Sequence, residues 1–115
     1  MAMMTVNIFK KIIDREIPAQ IVYEDDDCLA FKDVSPQAPT HILVIPKKVI
    51  RTHFDVTDSD QALLGKLHLV ANKIAKDLNL PGYRLVVNCE ECAGQSVPHL
   101  HMHILAGRPL AWPPG

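Results

Sequence analysis

The sequence predicts an α+β domain built on a mostly antiparallel sheet, and three observations carry that class. Five short runs of branched and apolar residues read as strands, and one long run repeats its apolar residues with a helical period. The two kinds do not alternate as they would in a parallel βαβ sheet. The chain has 115 residues, the length of one domain, and can bury a core without disulfides or a structural metal.

The elements follow in order. Residues 1–6 are expected to be a flexible N-terminus. Asn7 to Ile17 places Ile8, Phe9, Ile12 and Ile13 along one stripe, which predicts a short amphipathic helix of about two to three turns ended by Pro18. Ile21 to Glu24 and Cys28 to Lys32 flank Asp25-Asp26-Asp27 and read as a hairpin around an acidic turn. After Ser35-Pro36-Gln37-Ala38-Pro39 breaks the pattern, His41 to Ile45 predicts a buried strand that stops at Pro46. Lys47 to Val56 reads as loop with one helical turn. Thr57, with Asp60 three residues on, is an N-cap candidate for the main helix, whose stripe is Leu63, Leu67, Val70, Ile74 and Leu78. Pro81-Gly82 stops it. Tyr83 to Asn88 and His99 to Ala106 complete the strands, separated by the small-residue loop Cys92-Ala93-Gly94-Gln95-Ser96.

Twelve Lys and Arg against thirteen Asp and Glu leave a formal charge of −1, too balanced for a broad phosphate-binding face, so a nucleic acid polymer is not an expected partner. Apolar runs such as Ile42-Leu43-Val44-Ile45 fall far short of the roughly 18 residues that cross a bilayer, and no membrane role is expected. Met1 to Ile8 lacks an early positive charge and a long apolar core, which points to a cytoplasmic protein, with the nucleus added in a eukaryote. Three cysteines cannot all pair within one chain. Cys89-Glu90-Glu91-Cys92 has C-x-x-C spacing, but no helix is expected to begin there to lower a thiol pKa, and the pair reads as free loop cysteines.

Half of the six histidines fall in His99-Leu100-His101-Met102-His103. On a strand, alternation puts all three imidazoles on one face and Leu100, Met102 and Ile104 on the other, under the main helix. A row of imidazoles about 7 Å apart discourages simultaneous protonation, leaving at least one neutral as nucleophile, base or ligand. A metal is the rival, but the first and third residues of such a row stand about 13 Å apart, too far for one ion. Two of them with His41 or a cysteine remain an alternative ligand set; the expectation is no metal. Just upstream, Gly94-Gln95-Ser96 offers flexible N–H groups and a hydroxyl, which suits a phosphate as well as an ordinary turn.

The stretch HLHMHIL, His99 to Leu105, resembles the histidine triad signature, three histidines alternating with apolar residues and closed by two more. IFKKII, REIPA, CLAFKDVSPQAPTHILVIPKK, LLG, GYRLVVN, GQSV and the ending WPPG extend the likeness over nearly the whole chain, toward the Hint branch of histidine triad nucleotide-binding proteins. The resemblance implies a five-stranded antiparallel sheet with one long and one short helix, joined to a second copy in a homodimer. It also implies hydrolysis of purine nucleoside phosphoramidates, without a cofactor, through a covalent nucleotidyl-histidine, the partners being a purine nucleoside monophosphate and its phosphoramidates. His101 would be the nucleophile, flanked by His99 and His103, with His41 completing the cluster and Ser96 contacting the leaving nitrogen or a phosphate oxygen. Asn88, Gly94 and Val97 would hold the phosphate. Asp33 would accept the ribose hydroxyls, and Ile8, Phe9, Ile12, Phe31, Lys32 and Val34 would line the base pocket, although the apolar members read equally as core. Trp112, in a tail from residue 107 to 115 that composition alone leaves frayed, would reach the partner's site on its leaving-group side.

The chain departs from that pattern at several places. Pro98 stands where relatives usually carry an aromatic, Lys32 replaces a frequent histidine, and Cys89 to Ala93 replaces a Gly-rich segment. Asn7 and Lys10 occupy the places of a zinc-binding C-x-x-C found in some relatives. An enzyme is the first expectation; a nucleotide-binding regulatory or scaffolding protein with incidental turnover is the alternative.

Overall fold

Asp25 turns the first hairpin: its carboxylate accepts from the N–H groups of Asp27 and Cys28, both at 2.8 Å. Strand β1 (Ile21–Glu24) thereby folds back on β2 (Cys28–Lys32), and β2 pairs in turn with β3 (Thr40–Pro46). In the computed structural model, which describes residues 4–115, helix α1 (Ile8–Ile13) precedes this hairpin. Helix α2 (Gln61–Asp77), β4 (Arg84–Val86) and β5 (Met102–Ala106) complete the order. The sheet runs β1-β2-β3-β5-β4 with every neighbouring pair antiparallel. The α+β class and its five antiparallel strands are those the sequence predicts.

Alternation along β2 and β3 sends the two sets of side chains to opposite layers. Cys28, Ala30, Ile42 and Val44 meet Leu67, Val70, Ala71 and Ile74 of α2, joined by Leu100, Met102 and Ile104. Leu29, Phe31, Leu43 and Ile45 meet Phe9 and Ile12 of α1, joined by Val97. The second layer is thin, and the histidines lie at its margin. Thr57 caps not α2 itself but the 3₁₀ turn Asp58–Asp60 that leads into it, with the Asp60 carboxylate accepting from the Thr57 N–H at 3.0 Å, and Asp60 is the N-cap of α2. The loop before it carries the expected single turn, His53–Asp55. Among the described residues no helix is long and apolar enough to cross a membrane.

Four expectations change. Helix α1 stops at Ile13, well before Pro18: Arg15 takes φ +62°, and the bend lets Ile17 pack on the same layer as Phe9 and Ile12. Strand β5 begins at Met102, not His99. The His99 N–H donates to Val97 O at 2.8 Å and the Leu100 N–H to Ile50 O at 2.7 Å, so this stretch of backbone is bonded outside the sheet. A 3₁₀ turn does begin beside the cysteine pair, Glu91–Ala93, because Glu90 at φ +75° folds the chain back on itself; Cys89 and Cys92 are free. Strand β4 is also shorter than Tyr83–Asn88. Residues 1–3 of the expected flexible N-terminus lie outside the described residues; residues 4–6 form no helix or strand.

Candidate active site

His101 has one ring nitrogen committed and one free. Its Nδ1 lies 2.7 Å from the carbonyl oxygen of His99, which can only accept, so Nδ1 carries the proton and Nε2 keeps its lone pair. Every buried side-chain N or O atom among the described residues has a hydrogen-bond partner. Nε2 of His101 has none among them, so it reaches the surface although the residue is only 5 % exposed. Phe9 stands edge-on to the ring with centroids 4.9 Å apart, and the His103 ring lies 5.0 Å away. Burial pushes the His101 pKa down against the pull of the His99 carbonyl, so the imidazole is neutral at pH 7 and Nε2 is a nucleophile rather than a donor.

The tautomers of the other histidines follow from partners whose roles are unambiguous. The Gln37 backbone N–H donates to His41 Nδ1 at 3.0 Å. His41 therefore carries its proton on Nε2 and donates to His103 Nδ1 at 2.8 Å, which leaves the His103 proton on Nε2. Burial, reinforced by His101 and His41 nearby, lowers the His103 pKa to about 4. His99, fully buried, donates from Nε2 to the Pro46 carbonyl at 2.8 Å and accepts at Nδ1 from the Asn7 side-chain amide at 2.9 Å. The Asn7 amide orientation is set in turn, because its Oδ1 caps α1 by accepting from the Lys10 N–H at 2.9 Å. His99 is also held neutral by burial. It buttresses His101 through its backbone carbonyl, and its own ring is spent inside the protein.

The histidines thus share one layer, as alternation requires, but not as a straight row. Only His103 belongs to β5, and its ring centroid lies 5.0 Å from that of His101, closer than the roughly 7 Å spacing of alternate strand residues. Asp33, just beyond β2, accepts from the Ser35 N–H at 2.8 Å through Oδ1 and lies 3.4 Å from His41 Nε2 through Oδ2. A cavity of about 350 Å³ is lined by Asp33 and His41 together with Lys32, Thr40, Ile42 and Leu78, and none of His99, His101 and His103 borders it. A larger one, about 620 Å³, sits at Tyr83, Arg84 and Arg108 with no histidine in its wall; chemistry rather than volume marks the site. Phe9, Ile12 and Phe31 are buried in the α1 layer and Ile8 and Val34 are exposed, whereas Lys32, next to Phe31 and paired with Ile42, turns to the α2 side of the sheet.

The loop before His99 is ordered by a residue that motif reading passes over. Gln95, 3 % exposed, accepts from the Glu90 N–H at 2.8 Å and donates to the carbonyls of Arg51 and Val97 at 2.8 and 3.0 Å. Ser96 beside it is exposed and Val97 buried. Gly94 sits at φ +98°, a conformation glycine adopts without strain, and its carbonyl accepts from the Asn88 amide at 3.5 Å. Asn7, Gln37 and Pro46 are likewise missed from sequence. Only Asn7 leaves a readable signal, as an N-cap residue before an apolar run. Trp112 is 83 % exposed on the tail, so within one chain it contributes nothing to the histidine cluster's packing.

Asp33, His41 and His103 bring one potential metal-ligand atom each within 4.8 Å of one another. Nε2 of His41 and Nδ1 of His103 are already spent on each other, however, and an ion would have to break that bond and shift a proton. The donor set is better suited to internal hydrogen bonding than to a metal.

The family model for the HIT domain matches residues 14–110. The chain belongs to the HIT family. Curated HIT relatives include an uncharacterized HIT-like protein of Synechocystis sp., 60% identical over 109 residues that span 94% of this chain and 96% of that protein. A second, from Synechococcus elongatus, is 61% identical over the same shares. Among solved HIT structures, a HIT family hydrolase from Legionella pneumophila superposes with a TM-score of 0.93 at 50% identity, covering 96% of this chain and all of that one. A histidine triad protein from Clostridium difficile superposes at 0.88 with 48% identity, over 91% and 93% of the two chains.

Proposed function

We propose that this HIT protein hydrolyses purine nucleoside phosphoramidates, as the Hint branch does, with His101 as the nucleophile. The observation that carries the reading is the His101 tautomer. The His99 carbonyl holds the Nδ1 proton and leaves a neutral imidazole with Nε2 open to the surface. The Nε2 lone pair attacks phosphorus, the P–N electron pair departs with the amine nitrogen, which takes a proton from water, and a second water cleaves the P–Nε2 bond. His103, with its proton on Nε2, donates to a phosphate oxygen as negative charge builds there. Asp33 takes the ribose hydroxyls, Ile8, Phe9, Ile12, Phe31, Lys32 and Val34 take the base, and Asn88, Gly94, Ser96 and Val97 take the phosphate. The similarity to a HIT family hydrolase from Legionella pneumophila supports the reaction class.

On the same reading residues 1–115 form one HIT domain that works in the cytoplasm as a homodimer, and the tail from 107 onward reaches its partner's site. Purified protein should release adenosine monophosphate from an adenosine phosphoramidate and carry a nucleotidyl adduct on His101 in a single turnover. His101→Ala should lower turnover by about a thousandfold or more while adenosine monophosphate still binds. Near-normal turnover in that variant, or an adduct on another residue, would overturn the mechanism.

A further inference from the structure

The chain leaving β5 is clasped onto the loop before β3. Gly107 runs at φ +98° and lies so close to Pro39 that a Cβ would come within 2.8 Å of the proline Cβ; glycine alone allows that approach. Arg108 then donates from Nε to the Gln37 carbonyl and from Nη1 to the Pro109 carbonyl, both at 3.0 Å. Further on, Arg84 of β4 donates from Nη2 to the carbonyls of Leu110 and Ala111 at 3.0 and 3.1 Å. The start of the tail is thus tied to the Gln37 loop, and its continuation to the edge of the sheet.

Gln37 is the residue whose N–H sets the tautomer of His41. It stands in an exposed stretch with Pro36 before it and Pro39 after, neither of which has an N–H to anchor the loop. If its N–H turned to water, His41 could hold its proton on Nδ1 and face His103 with a bare Nε2. To keep the 2.8 Å bond, His103 would then carry its proton on Nδ1, and its outward Nε2 would become an acceptor. An acceptor lone pair repels a phosphate oxygen where a donor attracts it, so the sign of that contact depends on the Gln37 hydrogen bond, made three residues before β3, acting with the Asp33 carboxylate 3.4 Å from His41 Nε2.

We propose that Arg108 is a positioning residue for the histidine cluster: by holding the Gln37 carbonyl it keeps the Gln37 N–H on His41 Nδ1 and so keeps His103 Nε2 a donor. The tautomer claim stands without the hydrolase reading; its kinetic consequence rests on it. Arg108 is exposed, so R108M removes the donor without opening the core.

The test reads which ring nitrogens bear protons, by long-range proton–nitrogen correlation spectra of histidine-labelled full chain at pH 7. The wild type should show His41 and His103 protonated on Nε2. R108M should move both sets of nitrogen signals toward those of exchanging tautomers, R108K should restore them in part, and K73Q, a charge-loss control on the surface of α2, should leave them in place. On an adenosine phosphoramidate, R108M should lower kcat roughly threefold to tenfold with KM changed less than about twofold. Unmoved nitrogen signals in R108M, or a wild type protonated on Nδ1 of His103, would overturn the proposal. A tautomer shift in a protein that does not turn over the phosphoramidate would support the clasp and sink the hydrolase reading instead.

Discussion

Asn7 does two jobs with one side chain. Its oxygen caps α1 and its amide hydrogen meets His99 Nδ1, so the shorter of the two described α-helices is registered directly on the histidine cluster. A six-residue helix has little stability of its own and depends on such ties. Asn7→Ala removes the cap and leaves a buried nitrogen without a partner, which should lower unfolding free energy by about 1–3 kcal/mol in urea titration. Because His99 holds His101 in turn, turnover should fall as well. A variant as stable as the wild type would show that the helix is held by Phe9 and Ile12 alone.

At the scale of elements, the tail after β5 divides into a held part and a free part. Arg108 and Arg84 fix it as far as Ala111, and Trp112 then stands 83 % exposed with Pro113, Pro114 and Gly115 behind it. An indole left in water at the end of an anchored segment is poised for contact outside its own chain. Deleting residues 112–115 should therefore change the ranking of amine leaving groups in phosphoramidate hydrolysis more than it changes affinity for adenosine monophosphate, whose proposed pocket is at Asp33 and Phe31. An unchanged ranking in the truncated protein would remove Trp112 from the site.

For the whole molecule, the neutral histidines make stability depend on pH. His99, His101 and His103 are all pushed below the ordinary histidine pKa, His103 to about 4. Between that value and about 6.5 the unfolded chain binds more protons than the folded one, so the contribution is fully present above about pH 7 and lost as pH falls toward 4. For His103 alone this amounts to about 2 kcal/mol between pH 7 and pH 5. The carboxylates of Glu24, Asp25 and Asp60 are also depressed, by Lys47, by Tyr23 and backbone N–H groups, and by Lys48 respectively, with burial opposing each. Their losses fall below about pH 4.5, outside the histidine window. Urea midpoints should drop steadily from pH 7.5 to 5, and less steeply in His103→Gln; midpoints constant over that range would mean that the cluster is open to water and protonates freely.

Periodicity and punctuation determined the class of this protein, its main helix, its first hairpin and the strand at His41, because those signals are local: a branched run, a capping pair, a proline. They also put the histidines on one layer and Leu100, Met102 and Ile104 on the other, since that parity survives whether or not the backbone pairs. The likeness of HLHMHIL to the triad signature named the family that the comparisons then showed. Tertiary structure alone decided which nitrogen is bare. That depends on Pro46, His99, Gln37 and Asn7 as hydrogen-bond partners, and three of those four contacts join residues 53 or more positions apart or arise from a turn that no period predicts. It also decided that β5 begins at Met102, because Ile50 and Val97 take the N–H groups that a longer strand would have needed. Side-chain parity is a property of the chain; a proton's position is a property of what the fold brings against it.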